Sequence, residues 1–253
     1  ENRGRNFGLL RAMDNLGAVC GIITCVLLFS LLGYANLFML ASIPSLIGAV
    51  LILVFIKDRK TNRIHKGLSL RNLTFEFKLF LFLSALFALG SFSYSFLLAY
   101  AKDVGFETEF IPVLYLVFTA VASLVSLPFG KLADKLGRKT VLILAYIFWG
   151  LLCLGFISTA SLVGVAFLFV VYGLHKGAIE PVQRAFVSEL SPIDYRASML
   201  GTFQMVVGIC ALPASLIAGF LWISLNRLAP FYFSLSLTVP AIVLMLFVKE
   251  KKT

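Results

Sequence analysis

The sequence predicts an all-α polytopic membrane protein with eight transmembrane helices. Three observations predict it. Sixty per cent of the 253 residues are apolar and 13 per cent are charged, against about 25 per cent charged in an ordinary soluble domain. The apolar residues fall in blocks of roughly 17 to 25, the length a helix needs to cross about 30 Å of hydrocarbon at about 1.5 Å per residue. No segment alternates apolar and polar residues over about 10 positions, as the strands of a membrane barrel do.

The eight blocks run over 14–33, 37–56, 79–101, 110–129, 140–157, 162–182, 197–221 and 230–248. The first two are joined by 33–36 and the fifth and sixth by 158–161, both uncharged and read as tight external turns. Residues 102–109, with Asp103, Glu107 and Glu109, form the largest external loop. One long hydrophilic interruption, 57–78, separates two spans from six. Its second part, 67–77, mixes Leu68, Leu70, Leu73, Phe75 and Phe77 with polar residues, and reads either as a helix along the membrane interface or as plain linker.

The formal net charge of +10 would fit a nucleic-acid partner, but its placement argues for topology instead. With the N-terminus cytoplasmic, 20 of the 22 Lys and Arg residues fall on the cytoplasmic side or at that end of a span; Lys102 and Arg227 lie outside. That is the positive-inside bias, and it predicts both termini in the cytoplasm and no nucleic acid among the partners. The seven basic residues of 57–78 are able to touch anionic lipid heads. Cys20, Cys25, Cys153 and Cys210 lie within spans, form no CxxC pair and read as small buried hydrophobes. With two histidines, His65 and His175, the chain offers no metal set, and neither metal nor cofactor is expected.

Two helix starts resemble each other. Residues 3–18 align on 196–211 without a gap, pairing Arg3 with Arg196, Gly8 with Gly201, Arg11 with Gln204 and Ala18 with Ala211. Six spans separate the two starts, the period of a duplicated six-span unit.

Between the fourth and fifth spans stands Gly130-Lys131-Leu132-Ala133-Asp134-Lys135-Leu136-Gly137-Arg138-Lys139. Gly130 and Gly137 suit a tight turn, Lys135, Arg138 and Lys139 hold it at the cytoplasmic face, and Asp134 is its one acid. An acid there suits the positive end of a neighbouring helix or an Arg. This decapeptide resembles the signature loop of the major facilitator superfamily of secondary transporters. In that family the loop follows the second span of each six-span half. The resemblance implies that the eight spans are the family's fifth to twelfth and that four spans are missing before Glu1. The implied domains are 1–56, the end of an N-terminal bundle; 57–78, a cytoplasmic basic linker; and 79–253, a complete C-terminal six-helix bundle. The polar spans three and six then correspond to cavity-lining helices.

Candidate transport residues follow from polarity within the spans. Ser91, Ser93, Tyr94, Ser95 and Tyr100 cluster about Gly90, and Tyr94 is the candidate ligand contact; serines also pack helices without touching ligand. Lys176, Glu180 and Arg184 recur at i, i+4 and i+8 as one stripe of alternating charge, with His175 beside it and Tyr172 a turn earlier. Charges inside a membrane are costly and face a cavity or a partner. Tyr172, His175, Lys176, Glu180, Arg184 and Gln204 are therefore candidates for substrate or proton coupling; the structural alternative is a brace at the cytoplasmic gate. Arg11 and Asp14 are spaced to pair, and the family resemblance places the signature loop near them, so Asp134 is expected to join Arg11 in a network closing the cytoplasmic side. Gly17 and Gly21 allow close helix packing, and Pro213 offers a hinge.

The resemblance implies a permease that moves a small molecule by alternating access, proton-coupled, an efflux antiporter by direction, seated in the inner or plasma membrane and monomeric as a full-length transporter with lipid around it. No GxxxxGK(S/T) loop for ATP occurs. Two alternatives stand beside it. One is a lipid-modifying membrane enzyme, for which no DxxD or HExxH set is present, and no enzyme activity is expected. The other is a transport-inactive truncated fragment.

Overall fold

A single residue divides the first long apolar stretch. Helix α1 (Arg3–Phe55) is interrupted at Gly33, whose φ of 65° and ψ of 178° are non-helical, so the connection expected over 33–36 is a one-residue break. This computed structural model describes residues 2–55 and 73–250. The interruption at 57–78 therefore lies mostly outside the described residues, as does most of the interfacial stretch 67–77. Its last part is described and differs from expectation. Thr74 caps α2 (Phe75–Gly90) by accepting from the amide of Phe77, and Leu73 and Phe77 are buried. The third span thus starts four residues early, because Phe77 packs into the bundle and does not lie along an interface.

The remaining helices are α3 (Tyr94–Val104), α4 (Ile111–Leu136), α5 (Arg138–Ser158), α6 (Leu162–Leu190), α7 (Arg196–Ser224) and α8 (Ala229–Met245). Helices α2 and α3 make one span broken at residues 91–93, where Ser93 caps α3 by accepting from the amide of Ser95. Among the described residues, seven stretches are long and apolar enough to cross a membrane, and α8 is an eighth, shorter apolar helix of 17 residues. Helix α8 ends early: the carbonyls of Leu246 and Val248 turn to accept the Lys139 ammonium at 2.6 and 2.9 Å.

Helix α6 is the axis of the bundle. Half of its most apolar window is buried, against 11 per cent for α7, and it packs on α4, α5, α7 and the N-terminal arm of α1. Helices α5, α8, α2 and α7 follow one another around its other side. The core between them is aromatic: Phe87 stacks on Tyr146 with ring centres 4.0 Å apart, and Trp149 donates from Nε1 to Ser234 at 2.7 Å in a fully buried bond. Tyr100 is buried and donates to the carbonyl of Phe156 at 3.0 Å, tying α3 to the end of α5. Its neighbours Ser91, Ser93 and Tyr94 line a cavity, so the cluster about Gly90 serves two purposes.

Helix α1 joins through backbone proximity. Gly4 and Gly8 meet Gly130 and Ser126 of α4, and a methyl on Gly130 would overlap the carbonyl oxygen of Gly4. Gly17 and Gly21, expected to pack closely, have no atom within 4 Å of where a methyl would sit, among the described residues; the close crossing is made earlier in the helix, at Gly4 and Gly8. Cysteine burial also departs from expectation: Cys153 is buried, but Cys20 and Cys25 are exposed on α1 because that face meets none of the described helices.

Candidate functional site

The signature loop builds the first half of the site. Helix α4 ends at Gly137, whose φ of 96° favours glycine, and a Cβ there would sit 2.7 Å from Oε2 of Glu250. The space is used: Glu250 accepts from the amides of Arg138 and Lys139 at 2.5 and 3.3 Å and so caps α5. Asp134 caps a different helix. Its two carboxylate oxygens accept from the amides of Gly4 at 2.9 Å and Arg5 at 2.7 Å, at the positive end of α1. Arg138 also donates to Asp134 at 3.1 Å and pairs with Glu189 of α6. All three side chains are about nine-tenths buried. Arg138 is the cation shared by two carboxylates, so removing it leaves buried acids without that partner, at about 3–5 kcal/mol.

The same end gathers more charge. Ser188, at the negative end of α6, accepts from Arg3 at 2.7 Å and Arg196 at 3.1 Å, and Glu76 accepts from the amide of Lys249 at 3.0 Å. Lys135 is exposed and outside this network.

The expected Asp134–Arg11 contact does not form. Asp134 is committed to the first turn of α1 and to Arg138, whereas Arg11, two turns further along α1, pairs with Asp14 and with Glu180 of α6. Glu180 in turn accepts from Lys176 at 3.3 Å. The ion chain Asp14–Arg11–Glu180–Lys176 therefore crosses from α1 to α6. Within the charge stripe only Lys176 and Glu180 bond; Arg184 has no hydrogen bond or ion pair among the described residues, because the other oxygen of Glu180 is taken by Arg11.

The chain stands at mid-depth. Lys176 lies 14 residues from each end of α6, about 21 Å at 1.5 Å per residue. Pro181 follows Glu180 directly, and lacking an N–H it leaves the carbonyl of Gly177 without its helical donor. A cavity of about 400 Å³ opens on one side, lined by Ser91, Ser93, Tyr94, Tyr172, Lys176, Glu180, Arg184 and Gln204 among others. A second, of about 220 Å³, opens on the other side against Arg11, Asp14, Asn15 and Thr119. Tyr94, Lys176 and Glu180 border both.

The aromatic candidates divide. Tyr94 is partly exposed and stacks on Tyr115 with centres 5.4 Å apart. Tyr172 is buried beneath Lys176, whose ammonium lies 5.9 Å from its ring centre. His175 is 2 per cent exposed, with Nδ1 2.8 Å from the carbonyl of Ala145 and its ring against Trp149. It is thereby tied to α5 while also bordering the cavity of about 400 Å³. Gln204 reaches the cavity from α7.

Three residues that the sequence pattern does not single out matter here. Glu189 completes the Arg138 pair, Glu250 caps α5, and Asn15, 9 per cent exposed, holds an Nδ2 without a partner among the described residues. Glu189 is displaced from the stripe of α6, and only the Glu-to-Arg contact across helices reveals it. The four-residue spacing that exposes a stripe says nothing of partners on another helix.

Apolar helices around a polar mid-depth chamber, with charge at one end and an ion chain beside the chamber, define an integral membrane protein built around an internal cavity. The chain belongs to the Major Facilitator Superfamily, whose sequence description matches residues 79–253. It is 39% identical over 230 residues to an uncharacterized MFS-type transporter of Methanocaldococcus jannaschii, covering 87% of this chain and 58% of that protein. It is 26% identical over 251 residues to an uncharacterized protein of Mycobacterium bovis, covering 93% and 60%. The quinolone resistance protein NorA of Staphylococcus aureus is 25% identical over 146 residues, covering 57% and 37%. The chain thus spans about three-fifths of the length of the first two.

Proposed function

We propose that this chain forms part of a secondary active transporter that moves a small molecule across the membrane by alternating access, driven by protons and directed outward. The observation that carries the reading is the Arg11–Glu180–Lys176 chain beside the cavity. It joins α1, assigned to the N-terminal bundle, to α6 in the C-terminal one, so a change in the charge of Glu180 alters both the cavity wall and the link between the bundles. Protonating Glu180 removes the partner of two cations at once, and charges in a membrane interior are too costly to leave unpaired.

The Asp134 cap and the Arg138–Glu189 pair act at the other level. They hold α1, α4, α5 and α6 together at the end that the positive-inside bias assigns to the cytoplasm. In this reading they close that side while the cavity faces outward, and release when it opens inward. Family membership favours transport over a lipid-modifying enzyme, and the likeness to a quinolone resistance protein favours export.

The test uses the protein as its gene encodes it, reconstituted in vesicles with an imposed pH gradient. Substrate movement that follows the gradient in the wild type and is lost from the pH-driven component in Glu180→Gln supports the proposal. Gradient-driven movement unchanged by that substitution removes Glu180 from coupling.

A further inference from the structure

Among the described residues, every carboxylate that borders the two cavities is already engaged. Asp14 is paired with Arg11, and Glu180 is shared between Arg11 and Lys176. The lining cations outnumber them: Arg11, Lys176 and Arg184 stand against two acids. The surplus falls on Arg184, half-buried on the larger cavity with no ion-pair or hydrogen-bond partner among the described residues. An uncompensated guanidinium at a partly desolvated wall favours an anionic partner, and its fork of donors matches the two oxygens of a carboxylate. A cationic guest would find no free acid among the described residues and would face the field of Lys176 as well.

The rest of the wall describes the remainder of the guest. Phe87, Tyr94, Tyr172 and Phe203 border the same cavity; Tyr94 leaves its ring partly open, and the other three are nearly buried and make up its apolar wall. Gln183 and Gln204 flank the Arg184 region with amides. Apolar walls with a few placed polar groups suit an amphipathic molecule of drug-like size or smaller, and about 400 Å³ lies within the usual range of such sites.

We propose that the larger cavity selects organic anions: a carboxylate or similar oxyanion held by Arg184, with Lys176 adding to the attraction, and an aromatic body stacked on Tyr94. The inference rests on the transporter reading for its physiological meaning, but binding itself is measured without transport. Lys176 has a second consequence. An anion near its ammonium competes with Glu180 for it, leaving Glu180 more fully to Arg11, so substrate occupancy and the link between α1 and α6 are connected through one lysine.

The experiment compares three probes of one shape, 2-naphthoate, 2-naphthamide and 2-naphthylmethylammonium, by equilibrium binding to the protein as its gene encodes it, purified in lipid nanodiscs. The expected result is at least tenfold tighter binding of the naphthoate than of either counterpart in the wild type. In Arg184→Gln that preference falls about tenfold while the naphthamide affinity is unchanged; Arg184→Lys keeps much of it. Equal or tighter binding of the amide or the ammonium probe by the wild type overturns the proposal, and so does an unaltered naphthoate preference in Arg184→Gln. The wild-type comparison decides the matter even where a variant fails to fold. Anion preference without gradient-driven movement would overturn the transporter reading and leave this one standing; movement without anion preference would do the reverse.

Discussion

The carboxylate of Asp134 lies 2.9 Å from the amide nitrogen of Gly4, across the crossing of α4 and α1. An acid in the last turn of α4 thereby completes the first turn of a helix 130 residues away. It can do so because Gly4 and Gly130 bring the two backbones into contact.

Asp134→Asn keeps the shape of that cap and removes its charge. The cap loses its attraction for the positive end of α1, and Arg138 keeps Glu189 alone. The expected cost is about 1–3 kcal/mol, seen as a lowered thermal midpoint in detergent and as a larger spin-label distance between the starts of α1 and α5.

Gly130→Ala tests the crossing itself. The added methyl overlaps the Gly4 carbonyl, which is backbone and cannot rotate away, so α1 must shift at a cost of about 1–3 kcal/mol or more. Gly201→Ala is the control, because nothing lies within 4 Å of its Cβ position among the described residues; there the gain in helix propensity makes a neutral or slightly stabilising outcome the expected one. Equal midpoints for the two variants would show that the contact carries no weight.

Glu250→Gln weakens the cap on α5. Amide hydrogen exchange at Arg138 and Lys139 is expected to accelerate by about tenfold, the equivalent of about 1.4 kcal/mol, close to a typical cap. Exchange in the middle of α5 serves as the internal reference and stays unchanged.

Exchanging the charges of Arg11 and Glu180 separates attraction from position. Each single substitution, Arg11→Glu or Glu180→Arg, places like charges together across the α1–α6 contact and is expected to destabilise the protein and abolish transport. The double exchange restores the pair but not the contact of residue 180 with Lys176, so stability should return further than transport. A full return of transport would show that Lys176 does not depend on a carboxylate at residue 180.

The span pattern is legible in the sequence because hydrophobicity accumulates over about 20 residues and no single position decides it. The signature loop is legible for a different reason: its glycines and charges are consecutive, so a local geometry leaves a local trace. Partners across helices leave none. Asp134 is expected at Arg11, yet it binds main-chain amides, which every residue but proline offers and no sequence marks. The Lys176–Glu180 pair follows from helical spacing, whereas Arg11–Glu180 and Arg138–Glu189 depend on how α1 and α5 pack against α6. The break in the third span is hidden because Ser91 and Ser93 are tolerated within membrane helices; only Ser93, capping the next helix, shows that the backbone has let go.

That break interrupts the helical ladder at Ser91, Phe92 and Ser93, three residues that line the chamber, so some main-chain dipoles there lie outside the ladder. Such dipoles survive nearly any exchange of side chain at the same positions. Descendants of one ancestral gene can therefore alter the rings and charges around them, and with these the cargo accepted, while a fixed set of main-chain anchors is inherited intact.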